Sequence, residues 1–235
     1  MITTLSVREI VRSTPRTRLL RLDLGPEGFP FRAGQAVMAG LHGSPLRKPY
    51  SIASAPREAD RNGCIDLLVQ VDDAGGPDPH LELAAPGVGV DIEGPFGHFA
   101  LPSTGPNASL LLVAGGTGIA PLRSMLIDAL DQPSPPRVGV VYSARAVDEL
   151  AYRDELEALA AAGRITLRMT VTREGNQAWP GRRGRIDQAL LAEALPSRDA
   201  ACLVCGPPAL VNDIRAGLRG LGIPDGAVVV ERYDD

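Results

Sequence analysis

The feature that most constrains this chain is a change of period near residue 101. Before it, short runs alternate apolar and polar residues: "TLSVREIV", "TRLLRLDL", "GQAVMAGL", "YSIAS", "CIDLLVQV" and "VGVDIEG", separated by turns rich in glycine and proline. Side chains on a strand point to alternate faces, so these runs read as half-buried antiparallel strands of a barrel or sandwich. "PHLELAA" reads as a single short helix. After the turn-rich break "LPSTGPNAS", residues 101–109, the pattern becomes βα. Strand candidates at 109–114, 138–143, 165–171, 201–205 and 227–231 alternate with helical stretches near 119–130, 147–162, 186–194 and 208–220. Five such repeats specify a doubly wound parallel sheet. We therefore expect an antiparallel β-barrel domain over residues 1–104 and a five-stranded parallel α/β domain over residues 105–235.

The 235 residues suffice for two small domains, each with its own core. A hydrophobic content of 44% with 22% charged residues is ordinary for a globular protein. The net charge of −4 argues against a general nucleic-acid binder. No apolar run approaches the roughly 20 residues of a membrane span. The first residues, "MITTLSVREIV", carry no signal pattern, so a cytoplasmic location is expected. The three cysteines, Cys64, Cys202 and Cys205, fit a reducing compartment. Cys202 and Cys205 form a C-x-x-C, but on an apolar strand that spacing sends the side chains to opposite faces, which argues against a metal or disulfide pair. His42, His80 and His98 match no metal spacing, and no metal site is expected.

Ligands of open α/β sheets bind outside the carboxyl ends of the strands. That rule places Gly115 to Gly118, Ser143 to Arg145, Thr172 with Arg173, and Cys205 to Pro208 on one rim. The stretch "LLVAGGTGIAPLRSML", residues 111–126, is the most suggestive. A buried strand ends in glycines and turns directly into a helix, whose positive end and backbone N–H groups suit a phosphate. The G-x-G-x-x-G pattern is incomplete, because Gly116-Thr117-Gly118 is followed by Ile119, Ala120 and Pro121. Taken alone, the turn is a weak signal, and its alternative is a tight corner with no ligand.

Six motifs in order change that balance: "FRAGQAV", "KPYSIAS", "GPFGHF", "AGGTGIAPL", "CGPP" and the terminal "ERY". Together they resemble the ferredoxin–NADP reductase family of flavoenzymes across nearly the whole chain. The resemblance implies FAD on the barrel and NADPH or NADH on the α/β domain. By its R-x-Y-[ST] motif, Tyr50 would cover the flavin ring and Ser51 would hydrogen-bond near N5. Arg47, Lys48, Pro49, Ile52 and Val71 would complete that side. Gly75 and Gly76 would offer backbone N–H groups to the FAD diphosphate. Gly116, Thr117 and Gly118 would receive the pyrophosphate of the nicotinamide cofactor. Cys205, Gly206 and Pro207 would lie by the nicotinamide, with Glu231 and Tyr233 in the segment that returns to the flavin. Ser51, Cys205, Glu231 and Tyr233 are the residues expected nearest the hydride transfer.

The sequence departs from the family twice. The flavin-phosphate arginine, two positions before Tyr50, is Lys48, the only lysine among 24 basic residues. Where the family has a Ser or Thr after the glycine pair, this chain has Asp78 or Pro79. Ser143 with Arg145, and Thr172 with Arg173, offer cations to a 2′-phosphate, so NADPH is expected to be favoured over NADH. No C-x4-C-x2-C cluster motif occurs, so electrons are expected to pass to a separate acceptor such as a ferredoxin or an oxygenase component. A reductase of free flavin is the enzymatic alternative. A non-catalytic electron-transfer subunit is the alternative of another class.

Overall fold

The structure is a computed structural model that describes residues 2–71, 79–102, 108–173 and 178–233. Gly75, Gly76 and Asp78 lie outside the described residues. The chain divides into two compact units, Met1–Leu101 with Arg123–Asp128, and Pro102–Leu122 with Ala129–Asp235.

The first unit holds six antiparallel strands: β1 (Ile2–Thr14), β2 (Thr17–Asp23), β3 (Ala36–Leu41), β4 (Lys48–Ser51), β5 (Cys64–Gln70) and β6 (Gly89–Phe96). They run in the order β4-β3-β6-β1-β2-β5. The two end strands meet through a bridge between Ile52 and Leu67 and a bond from the Ala53 N–H to the Asp66 carbonyl at 2.8 Å, closing a barrel. Alternation decides what fills it: Leu20 and Leu22, Val37 and Ala39, Ile65, Leu67 and Val69, and Val90 and Ile92 point inward and are buried. The expected helix at "PHLELAA" is a single 3-10 turn, Leu81–Leu83. A short helix that the apolar pattern does not announce, α1 (Pro56–Asn62), follows β4; it buries only Ala59. Its first turn is set by Pro56 and by the Glu58 carboxylate, which accepts from the Ala55 N–H.

The second unit is a parallel sheet with strands β7 (Ser109–Gly115), β8 (Arg137–Ala144), β9 (Thr166–Val171), β10 (Arg182–Arg183), β11 (Ala201–Gly206) and β12 (Val228–Arg232). Among the described residues it has six strands rather than five. The extra one, β10, is two residues long and pairs only with Thr170 and Val171. The helices are α2 (Ile119–Leu130), whose Arg123–Asp128 belongs to the first unit, α3 (Arg153–Ala161), α4 (Gln188–Ala194) and α5 (Pro208–Gly220). The single helix expected over 147–162 is broken. A 3-10 turn covers Val147–Glu149, Tyr152 adopts a φ of 57°, and α3 starts one residue later. β7 is buried along its whole length, as expected for a central parallel strand covered on both faces. The order β10-β9-β8-β7-β11-β12 reverses direction between β7 and β11. In such sheets the crevice at that reversal is where ligands bind.

Candidate active site on each unit

In the barrel, β4 and β5 are joined by the isolated bridge of Ile52 with Leu67, and among the described residues Lys48–Ser51 make no ladder with Leu68–Val71; this unpaired stretch is the candidate flavin cleft. Tyr50 pairs with Val37 and is half-buried against the core; Ser51 is half-buried and pairs with Ala36. Ile52 is fully buried and Pro49 exposed. Lys48 pairs with Ala39, so it shares the parity of Tyr50.

Arg47 has the opposite parity. On β3, Gly40 lies opposite Asp91 of β6, and Asp91 lies opposite Thr4 of β1. A side chain at Gly40 would meet the Leu46 carbonyl at 2.1 Å and Arg47 Cγ at 3.0 Å. Glycine therefore lets Arg47 cross β3 and approach Asp91 at 3.5 Å. His42 and Thr4 also bond Asp91, at 2.8 and 2.7 Å. These bonds hold its carboxyl well below the usual carboxylate range. Arg47 is thus engaged on the outer face, whereas Lys48 shares the face of Tyr50.

In the α/β unit the glycines of the first turn have separate physical reasons. Gly116 has a φ of +54°, which side chains rarely adopt. A Cβ at Gly118 would meet the Cys205 carbonyl at 2.4 Å. The loops after β7 and β11 therefore touch, and Gly206 lies against Gly115 across the reversal point. Thr117, half-buried, sits between these glycines, and Pro207 caps the start of α5. The buried Tyr142 hydroxyl donates to the Gly116 carbonyl at 3.1 Å and accepts from the Ala151 N–H, bracing the turn.

The terminal segment reaches the same place. The Tyr233 hydroxyl accepts from the Gly118 N–H at 3.2 Å and donates to the Gly115 carbonyl. An oxygen acceptor on that N–H is what a phosphate would supply, so the turn fits the pyrophosphate of a nicotinamide cofactor. Glu231 pairs with Cys205 across β11 and β12, and the Cys205 thiol approaches its carboxylate at 3.8 Å. Burial, reinforced by Glu231, pushes the Cys205 pKa far up, and burial also raises that of Glu231. A thiol in this state is a neutral contact surface, not a nucleophile.

On the same rim, Ser143 is buried and pairs with Gly115 and Thr170. The Arg173 N–H donates to the Arg145 carbonyl at 2.7 Å, and the Thr172 N–H to Ala144. Thr172 and Arg173 are exposed. Arg183 ends β10 beside Val171. In the sequence, "WPGRRGRI" leaves open whether Arg183 adds to this cationic field or lies in a solvated turn, because its place beside β9 depends on a non-local pairing.

Fold and site together define a class: an oxidoreductase with an FAD-binding barrel and an NAD-binding α/β unit. Residues 4–101 match the oxidoreductase FAD-binding domain, and residues 112–216 match the oxidoreductase NAD-binding domain. The chain is 39% identical to ferredoxin–NADP reductase B of Sorangium cellulosum over 88% of this chain and 87% of that protein. It is 28% identical to NADH-cytochrome b5 reductase 1 of Eremothecium gossypii over 94% of this chain and 79% of that protein. A ferredoxin NADP+ reductase from Neisseria gonorrhoeae, solved with bound FAD and NADP, shares the fold at 20% identity, with a TM-score of 0.77 and 98% of each chain covered. The chain belongs to the ferredoxin–NADP reductase family. It is an NAD(P)H-dependent FAD enzyme, which sets aside the reading as a non-catalytic subunit. Among the described residues, no helix is long and apolar enough to cross a membrane.

Proposed function

We propose that the enzyme oxidises NADPH in preference to NADH and passes the electrons to a separate protein, a ferredoxin or an oxygenase component. The observation that carries the coenzyme preference is the backbone bond between Arg173 and Arg145. It ties together two arginines at the ends of adjacent strands, where a 2′-phosphate-free coenzyme would instead meet a carboxylate on its ribose. Arg183, at the end of the next strand, extends the same cationic rim.

When both are bound, the nicotinamide supplies a hydride and FAD accepts it at N5 and can release the electrons singly. The chain's own residues do the rest. Tyr50 offers its aromatic face to the flavin ring, and Ser51 a hydroxyl small enough to bond in the ring plane near N5. Lys48 balances the flavin phosphate. Cys205, kept a neutral thiol by burial, and Glu231, whose pKa burial raises, form a wall for the nicotinamide. Tyr233 leaves the Gly118 N–H when the coenzyme pyrophosphate takes its place.

The same resemblance admits a reductase of free flavin, and one preparation separates the two. The purified protein is expected to be yellow, to release FAD on denaturation, and to reduce a [2Fe–2S] ferredoxin without added flavin. A colourless protein that turns over only with added flavin would overturn the proposal.

A further inference from the structure

The β1–β2 hairpin carries three arginines that the site above does not use. Arg12 and Arg18 face each other across the hairpin, and Arg16 lies in its turn. Like charges directly opposite one another destabilise an antiparallel pair. At the base of the same hairpin, Arg8 pairs with Asp23, and Arg21 with Glu9 and Asp66. Among the described residues, no carboxylate pairs with Arg12, Arg16 or Arg18. The hairpin therefore has a neutralised base and a cationic tip.

The tip is held in shape. The buried Thr14 and Thr17 hydroxyls lie 2.8 Å apart, and the Arg16 N–H donates to the first of them at 3.2 Å. Arg18 Nη1 donates to the Thr14 and Thr17 carbonyls at 3.2 and 3.0 Å, which fixes the guanidinium at the tip.

Register sets that tip against the flavin cleft. Arg18 shares the inward parity of Leu20 and Leu22 and pairs with Val69. The Arg16 carbonyl accepts from the Val71 N–H at 2.8 Å. Because the bridge of Ile52 with Leu67 is antiparallel, the residues before Ile52, Tyr50 and Lys48 among them, and those after Leu67, Val69 and Val71 among them, leave it in the same direction. Arg18 and Arg16 thus hold the segment that runs from Leu67 to Val71 on its side away from β4. Both arginines are half-buried.

We infer that Arg16 and Arg18 bind the second phosphate of FAD, which FMN lacks, while Lys48 takes the phosphate that the two flavins share. Guanidinium forks suit phosphate oxygens, and the chain has Asp78 or Pro79 where its family has a hydroxyl for the diphosphate. The hairpin then sets the preference for FAD over FMN. This inference rests on the reading of the β4–β5 cleft as the flavin site.

The test is a titration of the full chain, stripped of flavin, with FAD, FMN and riboflavin, read by flavin fluorescence. The variant carrying Arg16→Gln and Arg18→Gln should weaken FAD about tenfold or more and leave FMN within about twofold. Lys48→Gln should weaken FAD and FMN alike, with riboflavin unchanged. Arg16→Lys with Arg18→Lys should recover part of the lost FAD affinity. In the parent, raising salt from about 50 to about 500 mM should weaken FAD more than FMN. Equal losses for FAD and FMN in the arginine variant, no loss for FAD, or equal salt sensitivity of the two flavins would overturn the inference. Lys48→Gln without effect on either flavin would instead overturn the cleft as the flavin site, whatever the arginine variant does.

Discussion

Tyr233 shows how one residue can hold a site in reserve. Its hydroxyl occupies both a donor and an acceptor of the glycine turn, so a nucleotide bound there as proposed would have to replace those bonds. A hydrogen bond exchanged in this way is worth roughly 0.5–1.5 kcal/mol net. Tyr233→Phe should therefore tighten NADP+ binding about three- to tenfold, measured by isothermal titration. Unchanged or weaker binding would show that the hydroxyl does not compete. The sequence marked Tyr233 only through the terminal "ERY" motif. Its bonds to a turn more than a hundred positions away are non-local, and no local pattern encodes them. Arg16 and Arg18 were missed for the same reason: each reads as an ordinary surface arginine until the register of three strands is known.

At the scale of elements, α1 is anchored by charge more than by apolar contact. Arg123, nearly buried, bonds both Glu58 oxygens at 2.9 Å and the Ala53 carbonyl at 3.0 Å. The Ser124 hydroxyl donates to the Ser54 carbonyl at 2.7 Å. Burial alone would raise the Glu58 pKa, but Arg123 and the Ala55 N–H outweigh it, and the pKa falls below the ordinary 4.5. A depressed carboxylate contributes stability that is complete above its unfolded pKa and is lost as pH falls through the lower folded value. Removing one partner of a nearly buried pair costs up to about 3 kcal/mol. Glu58→Gln should therefore destabilise the protein at pH 7, and the loss should shrink as urea melts are run below the ordinary 4.5. A loss that is constant with pH would contradict this ion pair. α1 was illegible in the sequence because only Ala59 of "PREADRN" is buried, so no helical period shows. β10 was illegible because two residues are too short for a period. By contrast, β7 and α5 were legible, the one as an unbroken apolar run, the other as Val211, Ile214 and Leu218 on a single buried stripe.

At the scale of the whole molecule, each unit carries one half of the chemistry, and each half follows from a break in regular structure. In the barrel, an isolated bridge rather than a ladder joins β4 and β5 among the described residues. In the parallel sheet, the strand order reverses between β7 and β11, and two glycine loops meet there. Both breaks were marked in the sequence by motifs, while their physical basis, the missing ladder and the reversal, is visible only in the fold. The central claim is that the protein uses NADPH to reduce its FAD, with Arg173 recognising the 2′-phosphate. Anaerobic stopped-flow mixing of the FAD-loaded enzyme with each coenzyme, followed at the flavin absorption band, tests this most directly. Bleaching by NADPH is expected to be faster than bleaching by NADH at equal subsaturating concentration. Arg173→Ala should slow the NADPH reaction about tenfold and leave the NADH reaction nearly unchanged. Bleaching by neither coenzyme, faster bleaching by NADH in the parent, or an equal loss for both coenzymes in Arg173→Ala would contradict it.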